Sequence, residues 1–276
     1  MAIRAAAQPL ESATSATMTN KRRIIFPILA GLLALLGFVL LDGVREAIAP
    51  WSLHINYDPQ PELNKWHYVG HGAAVGILFS GSMLALTWQP ARKPLLLWMY
   101  VLGFATLAAI YGLAESDGVV GFFVTILVAS SVLVAAYPDR RELLRLPRPG
   151  ASRLLLALTG LAALGMTPAV ARAFGHVFDK PAFEGAADPT RWGSDIIMSF
   201  VLIIGGLLVS SMRGGWFTLG VIVGLDFLYV GAAAITIPDQ DGSWGTLGGM
   251  LSIVFGLIWF AALHQERKVT SAVKAN

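Results

Sequence analysis

Histidines at the ends of apolar segments are the residues of this chain best suited to chemistry. Four of the five histidines, His54, His67, His71 and His176, fall on one predicted side of a membrane. His67 and His71 are four residues apart, so a helix places both on one face. Imidazole is a good ligand for zinc, copper, iron and nickel. The pair therefore predicts a transition-metal or haem site, although it lacks the Glu of a metalloprotease motif.

The two halves of the chain add a carboxylate to this predicted site. Under an offset of 124 residues, His71 corresponds to Asp195, and both lie near the outer end of the second apolar run of their half. We therefore predict a shared site of redox chemistry or cofactor handling, although no catalytic residue is assigned. Its candidate metal ligands are His67, His71, Asp195, His176 and Glu115. The alternative is that His67 is an interfacial residue and that His71 is hydrogen-bonded inside the helix bundle.

Two acidic turns share one pattern: an acid, any residue, Asp-Gly, two spacers and Gly. The acids are Glu115 and Asp117 in the first turn and Asp239 and Asp241 in the second. Paired carboxylates beside Gly can bind a hard cation such as calcium, but the remaining ligands of an EF-hand are absent. Asp-Gly is also ordinary turn chemistry, and an acid favours the start of a helix. Both interpretations stay open.

Asp226 lies near the middle of an apolar run, with Tyr229 about one helical turn later. A charged side chain at that depth is costly, and such residues commonly mark proton or ion pathways. The corresponding residue of the first half is Leu102, so the fold itself does not require the acid. Tyr111 is a further candidate member of this polar network. The alternative is a protonated Asp that only hydrogen-bonds to a neighbouring helix.

The composition predicts a membrane protein. Hydrophobic residues form 55% of the 276-residue chain and charged residues only 13%, about half of what a soluble domain carries. The mean hydropathy is +0.65. The absence of Cys excludes disulfides, thiolate metal sites and thiol redox chemistry. The net charge of +3 comes from short basic flanks of apolar runs, so nucleic acid is not an expected partner.

Eight continuous apolar runs are long enough, or nearly so, to cross a bilayer as helices. They are, approximately, Ile24–Leu41, Tyr68–Trp88, Leu95–Ala114, Val119–Tyr137, Leu154–Ala171, Ile196–Met212, Trp216–Ile237 and Leu247–Leu263. Most of the 20 Lys and Arg residues lie in the five segments that a cytoplasmic N-terminus places inside. The positive-inside rule therefore predicts a bacterial inner-membrane protein with both termini in the cytoplasm. We call the opposite, predicted periplasmic end of the helices the outer end.

The repeated turns predict an all-α protein built from two tandem units of four helices. An even number of spans gives both units the same orientation, so they would be parallel repeats. The predicted divisions are a disordered cytoplasmic tail (1–20), the first unit (21–137), a basic cytoplasmic linker (138–153), the second unit (154–264) and a cytoplasmic tail (265–276). The four-plus-four layout resembles that of haem A synthase, but the paired axial histidines of both bundles are not present.

Three functions are compatible with these residues. The first is a periplasm-facing site of His and carboxylate that binds a metal or haem. The second is a proton- or cation-coupled transporter of a small solute, with Asp226 as the coupling group. The third is a non-catalytic subunit or assembly factor. The lipid bilayer is the expected environment, and a homo-oligomer or a larger membrane complex is compatible with all three.

Overall fold

The computed structural model describes residues 8–52, 64–113, 117–144, 151–178 and 189–275. Within these ranges the chain is helical and contains no strand. The helices are α1 (Gln8–Leu35), α2 (Gly43–Ala47), α3 (Lys65–His71), α4 (Gly81–Leu86), α5 (Pro94–Leu113), α6 (Asp117–Ala136), α7 (Arg140–Leu144), α8 (Arg153–Phe178), α9 (Pro189–Ser210), α10 (Trp216–Thr236) and α11 (Gly245–Ala275). π-Helical segments follow α1 (Leu36–Leu40) and join α3 to α4 (Gly72–Ser80).

Seven helical segments among the described residues are long and apolar enough to cross a membrane. They correspond to seven of the eight predicted runs, so a multi-pass membrane protein is confirmed. The segments are Arg22–Leu40, Lys65–Leu86, Pro94–Leu113, Arg153–Val177, Trp192–Ser210, Trp216–Thr236 and Gly245–Ala272. The eighth predicted run coincides with α6, whose apolar part Val124–Ala136 is shorter than the other seven segments. The count of eight therefore stays a prediction.

Helices extend into both predicted tails. The first helix begins at Gln8, within the segment 1–20 that the sequence analysis assigned to a disordered tail, and residues 1–7 lie outside the described residues. The last helix continues to Ala275. Extending an existing helix needs no new nucleus. Patterns of polarity alone do not reveal such extensions.

The helices of each half pack in the same cyclic order. In the first half, α1 contacts α4, α4 contacts α5, α5 contacts α6, and α6 returns to α1. In the second half, α8 contacts α9, α9 contacts α10, α10 contacts α11, and α11 returns to α8. The halves meet through α3 and α5 against α9, and through the π-helical segment and α4 against α10.

Close contacts between the halves join residues that correspond under the 124-residue offset. A Cβ atom at Gly70 would lie 3.0 Å from the carbonyl oxygen of Ser194, its own counterpart. One at Gly81 would lie 3.8 Å from Cγ2 of Ile222, and one at Gly205, the counterpart of Gly81, would lie 3.6 Å from Sδ of Met99. Ile222 corresponds to the residue next to Met99. The seam between the halves therefore has nearly equivalent contacts on its two sides.

Basic residues gather at the end opposite the candidate site. Arg213 donates to the carbonyl oxygen of Glu142 at 2.7 Å, and Lys93 Nζ donates to the carbonyl oxygen of Ala85 at 2.8 Å. Partial burial lowers the pKa of the Lys93 ammonium. The Arg213 bond ties the loop after α9 to α7, and the Lys93 bond closes the loop between α4 and α5, both at the end that the sequence predicts to be cytoplasmic.

Candidate functional site

A short helix that sequence analysis missed, α2, builds one wall of the candidate site. It packs directly on the π-helical segment because glycines line the contact. A Cβ atom at Gly76 would lie 2.6 Å from the carbonyl oxygen of Gly43, and one at Gly72 would lie 2.6 Å from the backbone of Ala47. Small residues spaced by four on both partners permit this approach. The contact places Glu46, next to Ala47, beside the helix that carries His71.

We predict that Gly76→Ala destabilises the protein and loosens α2. The added methyl group has no room against the Gly43 backbone, so the expected cost is about 1–3 kcal/mol, as for overpacking elsewhere. The matched control is Gly81→Ala in the same span, where the new methyl would lie at an ordinary 3.8 Å from Ile222. Thermal unfolding in detergent measures both variants, and an equal melting temperature for Gly76→Ala and the wild type contradicts this packing.

Glu46 and His71 form a hydrogen-bonded ion pair between α2 and the second span. Oε2 of Glu46 contacts Nδ1 of His71, and the side chains are only 9% and 20% exposed. Asp42 also lies close enough for its charge to act on His71. Charge-assisted hydrogen bonds of this kind are stronger than neutral ones. The pair is a place where a proton can be held at the edge of the bundle.

His67 lies one turn from this pair, towards the outer end. Its ring is nearly parallel to that of His71, with a centroid distance of 6.3 Å and an angle of 15°. Nδ1 of His67 is hydrogen-bonded to Oγ of Ser194 in α9 at 2.6 Å. The predicted common face of the two histidines is therefore observed, and Ser194 is a partner that sequence analysis did not find.

Tyr229, in α10, is a further polar residue near Glu46. It is close enough to both Glu46 and Asp226 for their charges to act on its hydroxyl group. Its buried hydroxyl has no hydrogen-bond partner among the described residues. The ring of Trp51 packs on Tyr229 with a centroid distance of 6.0 Å, and Trp51 Nε1 donates to Thr236 Oγ1 at 3.0 Å. Trp51 thus covers the Tyr229 ring at the outer end of α10.

Asp226 is fully buried, with an exposed fraction of 0%. It lies ten residues from each end of α10, which is about 15 Å from each end along the axis. Neither carboxyl oxygen has a hydrogen-bond partner in the part of the chain that the structure describes. Buried polar groups are nearly always satisfied, and unsatisfied ones call for an explanation. A proton carrier that changes partners is one such explanation.

Asp195 lies apart from these groups, under the second acidic turn. A Cβ atom at Gly242, whose φ is +84°, would lie 2.5 Å from Oδ2 of Asp195 and 2.9 Å from Cδ1 of Trp66. Only glycine combines this left-handed backbone with so close an approach. The turn therefore closes over Asp195, whereas Asp239 and Asp241 in the same turn are exposed.

The other predicted residues occupy separate positions. His176 stacks on Trp192 with a centroid distance of 4.2 Å. The ring of Tyr111 lies 3.4 Å from where a Cβ atom of Gly193 would be. Asp117 is the first residue of α6, but its side chain, together with all of Glu115 and His54, lies outside the described residues.

No group of three or more His, Asp or Glu side chains among the described residues is arranged to hold a metal ion. Nδ1 of His67 and Nδ1 of His71 have other partners, Ser194 and Glu46. The predicted set of His67, His71, Asp195, His176 and Glu115 includes one residue outside the described part. The transition-metal or haem site therefore stays a prediction, which an absorbance spectrum and metal analysis of the purified protein can test.

No protein-family model matches the chain, and no curated protein or solved structure is significantly similar to it. Function must therefore come from the chemistry of the buried polar groups. Imidazole, carboxyl and phenol groups can each take up and release a proton. Such groups occur at His67, His71 and Glu46 towards the outer end of the helices, and at Tyr229 and Asp226 in α10.

Proposed function

We propose that the protein moves protons between its outer end and Asp226 and couples this movement to the transport of a small solute. The observation that carries the proposal is Asp226 itself, a fully buried carboxyl at the middle of α10 without a hydrogen-bond partner among the described residues. An acid at this depth that has only a packing role would destabilise the fold and contribute nothing to function. Reversible protonation gives it a use.

The proposed path begins at His67 and passes through the Glu46–His71 pair. Glu46 lies within electrostatic range of Tyr229, and Tyr229 within range of Asp226. A proton arriving at His71 can pass to the Glu46 carboxylate, and the Tyr229 hydroxyl can then relay it towards Asp226. Small rearrangements of side chains, or water molecules, bridge the remaining gaps, as in other proton relays through membranes.

The arrangement of the two halves supports the coupling to a solute. The shared cyclic order of helix contacts in each half and the near-equivalent contacts across the seam favour a duplicated unit of four helices related by an axis along the membrane normal. Parallel repeats of this kind rock against each other in several transporters. In this proposal α6 is the eighth span, the protein lies in a bacterial inner membrane with both termini in the cytoplasm, and Asp226 lies in α10, which contacts the seam.

Proteoliposomes containing a pH-sensitive dye test this function. A potassium diffusion potential, negative inside, should drive proton entry faster than in protein-free vesicles. Addition of candidate solutes one at a time should then identify a substrate by faster acidification of the lumen. Vesicles that acidify at the rate of the protein-free control, with and without a potential, contradict the proposal.

Tyr229→Phe should slow this proton entry by about tenfold while the melting temperature stays near that of the wild type. The change removes only the hydroxyl group, which makes no hydrogen bond within the described residues, and positioned proton-transfer groups contribute at least about 10²-fold when no bypass exists. Water can bypass Tyr229, so the expected loss is smaller. Tyr100→Phe is the control, because Tyr100 is buried among Phe79 and Phe104. Equal rates for both variants exclude Tyr229 from the path.

A further inference from the structure

A cavity lies in the second half of the molecule, between α8, α10 and α11. Its volume is about 510 Å³, within the range of about 300–1,000 Å³ of typical ligand sites. Apolar side chains form most of its wall, including Met166, Leu251, Phe255 and Ile258. Ser252 also lines it, but its hydroxyl donates to the carbonyl oxygen of Phe227 at 2.8 Å. The interior therefore offers little to a polar ligand.

The cavity follows from the packing of α8. This helix packs mainly on α9 and touches α11 much less. Only 17% of its spanning segment is buried, the smallest fraction of the seven. Gly165 lines the cavity, and a Cβ atom placed there would meet no atom within 4 Å. The space between α8 and α11 therefore lies beside a helix that has most of its surface turned to the bilayer.

One end of the cavity is cationic. Arg172 of α8 lines it there, together with Ser243 and Trp244 at the start of α11. The Arg172 side chain is exposed and makes no hydrogen bond or ion pair with any described residue. Along α8 the lining runs from Leu161 to Arg172, a helical rise of about 17 Å. The long apolar wall and single cationic end match a molecule with an acyl chain and an anionic head.

We infer that this cavity is a binding site for an anionic phospholipid of the outer leaflet. The phosphate lies against Arg172 and Ser243, and one acyl chain runs between α8 and α11 towards Ile258. Arginine binds phosphate through charge-assisted hydrogen bonds, and Trp244 lies at the headgroup level that Trp commonly occupies. The site involves none of the proton-relay residues, so it is independent of the proposed function.

Native mass spectrometry of the full-length, delipidated protein tests the inference by titration with phosphatidylglycerol and phosphatidylcholine. We expect phosphatidylglycerol to bind with at least about tenfold lower Kd, because only its headgroup has a net negative charge. Arg172→Gln should raise the Kd for phosphatidylglycerol by about tenfold or more. The matched control is Arg153→Gln at the other end of the same helix, where the side chain is also exposed and does not line the cavity.

A second pair of variants tests whether the cavity binds the acyl chain of the lipid. Gly165→Phe fills the cavity and should weaken binding of both lipids by tenfold or more. Gly160→Phe should leave it unchanged, because Gly160 also has open space around its Cβ position but does not line the cavity. The inference is overturned if Arg172→Gln and Arg153→Gln change the Kd for phosphatidylglycerol equally. It is also overturned if the two Phe variants weaken lipid binding equally, or if the wild type binds the two lipids with equal affinity. Displacement of phosphatidylglycerol by inorganic phosphate at the same concentration as the lipid overturns the inference as well.

Discussion

Asp226→Asn is expected to reduce potential-driven proton entry into proteoliposomes by at least about 10²-fold, to the rate of protein-free vesicles. A carboxyl group can carry a proton and release it, whereas a carboxamide of nearly the same shape cannot. Removing a positioned acid or base commonly costs about 10²–10⁴-fold in rate. Asp226 lies at the middle of α10, and no other described residue on the proposed path lies as deep, so no bypass is expected.

The same variant should fold as well as the wild type, or better. Asn avoids the cost of a charge in the bilayer, and Asp226 makes no hydrogen bond with a described residue that the change would break. The matched control is Asp239→Asn, the same substitution at an exposed acid of the second turn, which should leave proton entry unchanged. Wild-type rates in well-folded Asp226→Asn protein refute the coupling role.

Glu46→Gln and His71→Ala should each slow proton entry by about tenfold, and the double variant should be no slower than either single variant. The two residues act as one unit because their side chains are hydrogen-bonded to each other. Effects of residues that act as one unit are not additive, and a double-mutant cycle measures their coupling. Two independent contributions would instead multiply to about a hundredfold loss.

The control for this cycle is His264→Ala. His264 is exposed near the other end of the molecule, so the same substitution there should leave the rate and its dependence on outside pH unchanged. Because removing one partner of a half-buried pair costs about 1.5–3 kcal/mol, melting temperatures must be measured alongside the rates. A hundredfold loss in the double variant, in protein that remains folded, shows that Glu46 and His71 act separately.

Hydropathy predicted most of the fold because bilayer thickness sets helix length directly. Five of the seven runs were found as helices within four residues of their predicted bounds, and the other two extend six and nine residues beyond their predicted ends at Ala171 and Leu263. The sequence also predicted the depth of Asp226 and the common face of His67 and His71, since both depend only on helical periodicity. Hydropathy did not predict the helix ends at Gln8 and Ala275, because a polar helix outside the bilayer has no hydropathy signal.

Glu46 was missed because its position depends on a tertiary contact. It lies in a five-residue helix inside a predicted loop, and no periodic pattern of that length stands out from a loop sequence. The available signal was the spacing of Gly43 and Ala47 opposite Gly72 and Gly76, which permits a helix to approach closely. Reading that spacing as a contact between a loop and a span would have placed Glu46 beside His71.

The equivalence of His71 and Asp195 illustrates the limit of symmetry arguments. Their neighbours Gly70 and Ser194 do touch across the seam, so the offset of 124 residues located the meeting point of the halves. Their surroundings nonetheless differ: Glu46 is hydrogen-bonded to His71, whereas the turn around Gly242 lies against Asp195. Loops differ between the halves, and loops supply these partners.

Infrared difference spectroscopy of the protein in lipid, recorded while the outside pH is raised, tests most directly whether Asp226 binds and releases a proton. We predict loss of the band of a protonated carboxyl group in the wild type and in Asp239→Asn, and no such change in Asp226→Asn. An identical carboxyl band change in Asp226→Asn contradicts the proposed role of Asp226, since the released proton would then come from another acid.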